Sequence, residues 1–326
     1  MNRIQFGFIL PLVPQDHTLR ITFLEDLNRA LGLISGRFDS VWSIDHLMNM
    51  ENRSNGLDDL ESFTTLAYLA ALHPHFKFGH TVICQTFRNP ALVAKMGATL
   101  QFLSGGRFLL GIGAGGDESE HKAYGYDFPP APVRVQQLEE AIQIIKAMWT
   151  EAAPSTVRTT TFSGKYYRVS EAVCEPKPDP IPRVMVGAFK PKMLRITAKY
   201  ADEWNVSSTG IGKYRQLVKE FERACLEVGR DPSTVRRSWG GGCICMPTQE
   251  QAERIAGNRY GRDPDEEFDF VGAPWQIIEQ MRPFIDLGIS SFMVDCGGFP
   301  DLTTLEMLTS QVLPALNKNA PPPQSG

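Results

Sequence analysis

Two short stretches of this chain combine residue types that can do chemistry. The first is Gly113-Ala114-Gly115-Gly116, almost without side chains, directly after the apolar run 108–112. Glycines placed after a buried strand let a ligand approach the backbone and leave N–H groups free for an anion. The second is Asp45-His46, which closes another apolar run, residues 40–44. A histidine at the end of a strand can give or take a proton at a bound group, because its ring titrates near neutral pH. It can equally be held by Asp45 or a backbone carbonyl and do no chemistry.

The glycines also match G-x-G-x-x-G at Gly111, Gly113 and Gly116. A dinucleotide-binding turn of that spacing needs a helix opening at once and an acidic residue about 20 positions on. Here a loop is expected from Asp117 to Pro129-Pro130, the helical pattern resumes only near Val133, and Glu139 falls inside that helix. An NAD site therefore fits poorly, and a plain glycine turn without a ligand is the other reading.

The elements that must position these residues alternate along the chain. Apolar runs at 4–10, 40–44, 78–84, 108–112, 183–187, 203–206, 238–245 and 291–295 read as eight strands. Helical patterns at 23–34, 62–72, 90–103, 133–149, 191–200, 214–228, 274–287 and 302–316 follow them in turn. Strands too apolar to have a wet face, each followed by a helix, argue for a closed parallel (β/α)8 TIM barrel. Barrel enzymes bind ligands beyond the carboxyl ends of their strands, where both stretches stand. One domain is expected over residues 1–318, with insertions near 113–132, 154–180 and 246–271. The second insertion contains a hairpin pattern at 156–174, the third is charged and expected to be mobile, and 319–326 reads as a disordered tail.

Composition narrows the partners. With 326 residues, 42% hydrophobic and 21% charged, the chain can bury a large core. A net charge of −4 provides no basic field for nucleic acid. The N-terminal apolar run is broken by Pro11 and lacks a small-residue cleavage site, and no stretch reaches the ~18 apolar residues of a membrane span. Six cysteines in a chain this long read as reduced thiols of a cytoplasmic protein. Cys243 and Cys245 alternate faces on one strand, so no metal site is expected.

Beyond these patterns, the chain resembles the luciferase-like monooxygenase superfamily over about residues 4–316. The resemblance is carried by Gly79-His80-Thr81-Val82, Arg88-Asn89-Pro90, Ala94-Lys95, Ala98-Thr99-Leu100, Leu103-Ser104-Gly105-Gly106-Arg107, Gly111-x-Gly113 and Tyr124-Gly125. Gly164-Lys165-Tyr166-Tyr167, Cys174-Glu175-Pro176-Lys177-Pro178 and Tyr200-Ala201-Asp202-Glu203-Trp204-Asn205 agree as well. The last two motifs resemble the branch of probable F420-dependent oxidoreductases.

The resemblance implies an (α/β)8 barrel and a flavin-like cofactor, coenzyme F420 or FMN. It implies that Asp45 and His46 touch the cofactor ring, with His46 handling the proton that accompanies hydride transfer. It also implies a non-prolyl cis peptide at Thr81–Val82 behind the ring and Cys84 beside it; as a small buried filler Cys84 would need no such role. Gly113, Ala114, Gly115 and Gly116, together with Gly187, Ala188, Phe189 and Lys190, would form the backbone cradle, and Ser207 and Ser208 would hydrogen-bond the cofactor. Lys190 can pair with an acidic tail or phosphate, or be an ordinary solvated lysine.

Two departures bear on the reaction. Relatives carry a run of glycines after strand five, where this chain has Ala188, Phe189 and Lys190. Similar F420-dependent sugar-phosphate dehydrogenases place a carboxylate where this chain has Gly116 and a Trp where it has Met50. Sugar-phosphate oxidation is therefore disfavoured, although Asp117 or Glu118 could substitute if the loop shifts. Met48, Met50, Phe87 and Trp204 instead suggest an apolar substrate pocket, or plain barrel packing. The expected function is hydride transfer between coenzyme F420 and a small organic substrate. The alternatives are an FMN-dependent monooxygenase served by a partner reductase, and a flavin- or deazaflavin-binding protein without turnover. Relatives of this kind are commonly homodimers.

Overall fold

The computed structural model describes residues 3–48, 56–150, 159–257 and 269–318. Met50, the tail 319–326 and residues 258–268 of the charged stretch 246–271 lie outside the described residues. Eight parallel strands form the barrel: β1 Gln5–Ile9, β2 Ser40–Ser43, β3 Lys77–His80, β4 Phe108–Gly113, β5 Val184–Gly187, β6 Glu203–Ser207, β7 Arg236–Cys245 and β8 Ile289–Cys296. They pair in the order β5-β6-β7-β8-β1-β2-β3-β4, and β4 pairs again with β5, so the sheet closes. The helices are α1 His17–Ile34, α2 Ser62–Leu72, α3 Pro90–Leu103, α4 Glu118–Tyr124, α5 Ala131–Thr150, α6 Pro191–Tyr200, α7 Ile211–Glu227, α8 Gln249–Ala256 and α9 Pro274–Asp286, with a last helical segment over 303–316.

Side chains alternate across each strand, so every barrel strand has one face toward the helices and one toward the axis. The outward residues Phe6, Phe8, Val41, Phe78, Phe108, Leu110, Trp204 and Val206 are buried under the helix layer. The barrel interior is filled by a separate cluster of Ile9, Trp42, Met185 and Met293. Trp42 fits there because its two neighbouring strands carry glycine beside it. A Cβ on Gly7 would lie 2.3 Å from the indole Nε1, and one on Gly79 2.4 Å from Cζ3.

The third strand is not continuous over 78–84 as its apolar run suggests. It stops at His80, the Thr81–Val82 peptide is cis, and Ile83–Cys84 resumes pairing against Ile112 and Gly113 of β4. The expected loop at 117–130 also holds a helix, α4. It is opened by the Asp117 side chain, which accepts from the Glu120 amide, and closed by Gly125 in the left-handed region. Within the third insertion the described residues form α8 and the strand Phe270–Gly272, which pairs with β7. In the second insertion, Thr159–Ser163 and Arg168–Val173 form an antiparallel hairpin. The two ends of the barrel meet at Asn317, whose amide side chain accepts from the Ile4 N–H at 2.8 Å and donates to its carbonyl at 3.0 Å.

Candidate active site

The carboxyl ends of β2 to β6 surround a cavity of about 530 Å³. His46, Thr81, Val82, Cys84, Gly113, Ala114, Gly115, Gly116, Gly187, Phe189 and Ser207 all line it, together with Asp117, Glu120, His121 and Asn205. A second hollow of about 420 Å³ adjoins it, sharing Ile44, Thr81 and Ser207 and continuing over Ser208 and the Gly240–Gly242 strip.

Asp45 carries its charge away from the cavity. Its carboxylate receives both Arg88 nitrogens at 2.7 and 2.8 Å, the Ser62 hydroxyl at 2.5 Å and the Cys84 amide at 2.9 Å. Arg88 also reaches Glu61 at 2.7 Å. This buried ion pair fixes the end of β2 to the resumed strand Ile83–Cys84, and so fixes where His46 emerges.

His46 is 40% exposed at its side chain, and its Nδ1 lies 3.2 Å from Oε2 of Glu120, which is 2% exposed. The other Glu120 oxygen accepts the Leu47 amide and the Met48 amide, the latter at 3.1 Å. A carboxylate can only accept here, so Nδ1 carries the proton of the neutral ring and Nε2 is left as an acceptor. Sequence reasoning missed Glu120. The signal was present, since Asp117-x-x-Glu120 is a helix-start pattern whose acid falls at the third helical position.

The glycine stretch makes the cavity's opposite lip. A Cβ on Gly113 would meet the Val82 side chain at 2.8 Å, and one on Gly115 the Cys84 sulfur at 2.5 Å. Among the described residues, no hydrogen bond engages the amides of Gly115 and Gly116, which suits an anionic group. Burial pushes the Cys84 thiol up from its ordinary range, with Asp45 and Glu120 adding to the effect. A flat, flavin-like ring with a phosphate-bearing side chain fits these residues: the cradle is open where side chains would fill it, and its donors are unpaired.

Several expected contacts fall elsewhere. Trp204 faces the helices, stacks on Phe221 and Tyr214, and donates to the Ala188 carbonyl at 2.9 Å. It cannot line the cavity, because Asn205 and Ser207 already hold the inward positions of β6. Ala188 is fully buried, with its amide bonded to Asn205 and its carbonyl to Trp204, so it has no group left for a cofactor. Phe87 is buried against His121 and Tyr126 behind the cavity wall. Lys190 is exposed at the start of α6, outside the cavity lining. Ser208 belongs to the adjoining hollow and donates to Asp269 at 3.1 Å. Met48 is half-buried and enters through its amide. The cavity wall is thus glycine-rich, and its apolar part comes from Ile44, Val82, Ile83, Ala114 and Phe189 rather than from Phe87 and Trp204.

Two buried titratable groups near the site have no hydrogen-bond partner among the described residues, His80 and Asp59. His80 sits between Phe63 and Phe108, and burial lowers its pKa to about 3. Burial raises Asp59 to about 6, against the pull of His46.

The closed parallel barrel is the (β/α)8 architecture of luciferase-like oxidoreductases and monooxygenases. The chain belongs to the luciferase-like monooxygenase family, whose sequence pattern matches residues 35–275. It is 28% identical over 347 residues to an F420-dependent glucose-6-phosphate dehydrogenase of Intrasporangium calvum, covering 96% of each chain. Its fold superposes on an F420-dependent secondary alcohol dehydrogenase in complex with an F420-acetone adduct at TM-score 0.78, with 21% identity, covering 96% of this chain and 99% of that one. It also superposes on the oxygenating constituent of 3,6-diketocamphane monooxygenase from Pseudomonas putida, in complex with FMN, at TM-score 0.72, with 19% identity and coverage of 96% and 98%. Among the described residues, no helix is long and apolar enough to cross a membrane.

Proposed function

We propose that this protein transfers a hydride between coenzyme F420 and a small organic substrate other than a sugar phosphate. The observation that carries the reading is the His46–Glu120 pair at the mouth of the glycine-lined cavity. Glu120 holds Nδ1, so Nε2 is the atom presented for the proton that accompanies hydride transfer. Val82 and Gly113 would back the ring, the Gly115 and Gly116 amides would receive the phosphate, and Gly187, Phe189 and Ser207 would close the far side. When bound, the deazaflavin supplies a carbon that accepts or donates the hydride. The protein's part is to orient the two reactants, hold the proton at His46 and keep water from the ring.

Among the described residues lining the cavity there is no lysine or arginine, while Asp117 and Glu120 are present. Beyond the glycine amides that would take the cofactor's own phosphate, such a lining offers no cation to a second, substrate phosphate and suits a neutral alcohol or carbonyl compound. The direct test is titration of the purified protein with F420 and with FMN, followed by ring fluorescence. Tight F420 binding and reduction by a simple secondary alcohol are expected. Binding of FMN alone would instead favour a monooxygenase working with a reductase. F420 binding without any turnover would favour a carrier, and rapid oxidation of glucose 6-phosphate would reverse the substrate assignment. The protein is also proposed to work as a cytoplasmic homodimer, checked by its mass in solution.

A further inference from the structure

Cys84 is the one cysteine of six that is not buried, and it lines the same cavity as His46. Behind it stands a second histidine with no part in the reading above. His121 is wholly buried and enclosed by Phe87, Phe128 and Tyr126, at ring-centre distances of 4.6, 4.9 and 6.4 Å. A phenylalanine would fill such a cage without needing any polar partner, yet this imidazole has two.

The directions of these hydrogen bonds can be assigned. The Asp117 carbonyl contacts Nδ1 of His121 and can only accept, so Nδ1 carries the proton and Nε2 a lone pair. The Thr86 hydroxyl, 2.6 Å from Nε2, must then donate to it. That leaves the Thr86 oxygen as acceptor for the Cys84 thiol, 2.9 Å away. The direct sulfur-to-Nε2 separation is 3.8 Å, so the hydroxyl is the shorter path. Gly115 seats the glycine lip on the sulfur, and any Cβ there would collide with it.

We propose that Cys84, Thr86 and His121 form a proton relay that opens into the cavity at the thiol and ends on the buried imidazole. Its use in turnover rests on the function proposed above; the relay itself does not. In the oxidation direction, a bound hydroxyl gives its proton to the Cys84 sulfur as its carbon gives a hydride to the cofactor, leaving a carbonyl. The S–H proton moves to the Thr86 oxygen, and the Thr86 proton moves to Nε2. The imidazole becomes an imidazolium, still held at Nδ1 by Asp117. Reduction runs the same transfers backwards. The relay is separate from His46, so the cavity has two places to put a proton.

The relay is tested without cofactor, by the rate at which iodoacetamide alkylates Cys84, located by mass spectrometry. Only the thiolate reacts, so the rate reports how readily the thiol proton leaves. The groups facing the chain are Asp45, His46, Glu120, Asp117 and Tyr167 around the sulfur, and Tyr126 and the Arg134–Phe128 stack beyond the imidazole. Thr86→Val and His121→Gln should slow alkylation about tenfold at pH 7, while Thr86→Ser keeps the wild-type rate. A wild-type rate in His121→Gln, or a loss in Thr86→Ser as large as in Thr86→Val, would overturn the relay. F420 titration is read separately, so an F420-blind protein with an intact relay would sink only the cofactor assignment.

Discussion

Oε2 of Glu120 lies 3.2 Å from Nδ1 of His46, across 74 residues of sequence, while its partner oxygen gathers the next two backbone amides. One buried carboxylate therefore sets both the path of the chain leaving β2 and the tautomer of the histidine it delivers. Glu120→Gln should uncouple the two. An amide cannot accept on both sides, so at least one of the three N–H groups loses its partner, at about 1–3 kcal/mol of stability. Turnover should fall about tenfold or more with cofactor affinity changed far less. An equal loss in both would make Glu120 a scaffold residue only.

The Asp45–Arg88 pair is structural: it ties the end of β2 to the strand Ile83–Cys84. Removing one partner of a buried ion pair costs about 3–5 kcal/mol when the other charge is left alone, but Arg88 keeps Glu61 at 2.7 Å. Asp45→Asn should therefore lower urea stability by less than that range, and Asp45→Asn with Arg88→Met together should recover part of it. If Asp45→Asn unfolds normally but loses cofactor, the carboxylate contacts the ligand after all.

His80 and Asp59 make stability depend on pH in opposite senses. The folded state lowers the His80 pKa from 6.5 to about 3, so its neutral form supports the fold above about pH 6.5 and that support drains away as pH falls toward 3. The folded state raises Asp59 from 3.8 to about 6, so its protonated form supports the fold below about pH 4 and that support is lost as pH rises through 6. His80→Leu should thus stabilise more at pH 5 than at pH 8. Asp59→Asn should stabilise by about 1 kcal/mol at pH 8, a figure discounted for partial solvent screening, and by little at pH 4. Parallel melting curves across this range check both signs.

Gly115 combines a φ of +77° with a Cβ position 2.5 Å from the Cys84 sulfur. Gly115→Ala must therefore move the lip or the thiol. We expect a loss of about 1–2 kcal/mol in stability and a cofactor Kd raised about tenfold. Gly116→Ala, where no atom lies within 4 Å of the added carbon, should change neither by much. Similar effects at both positions would remove the steric argument.

The barrel was legible because its strands are apolar on both faces and each is followed by a helix, a pattern few folds share. The cavity was legible where backbone did the work: the strand ends at Asp45-His46, Thr81–Val82 and the glycine lip line one hollow. It was less legible where side-chain direction mattered. Trp204 looked like a pocket residue because it stands near a strand end, but alternation from Ser207 through Asn205 sends it outward. Glu120 and His121 were hidden because an acidic, glycine-flanked stretch reads as loop unless the Asp117 cap is weighed. Thr86 offers no sequence signal at all, since its role depends on which way His121 turns.

Asn317 holds Ile4 by both its amide and its carbonyl, as a neighbouring strand would. The covalent order of the eight units is therefore not what keeps the first and last together. A permuted chain, with residue 318 joined to residue 3 by a short flexible linker and new termini cut in the hairpin turn at Lys165, should assemble the same barrel. Its cavity, lined by residues of 44–121 and 187–207, is interrupted by neither the cut nor the junction and should keep its shape.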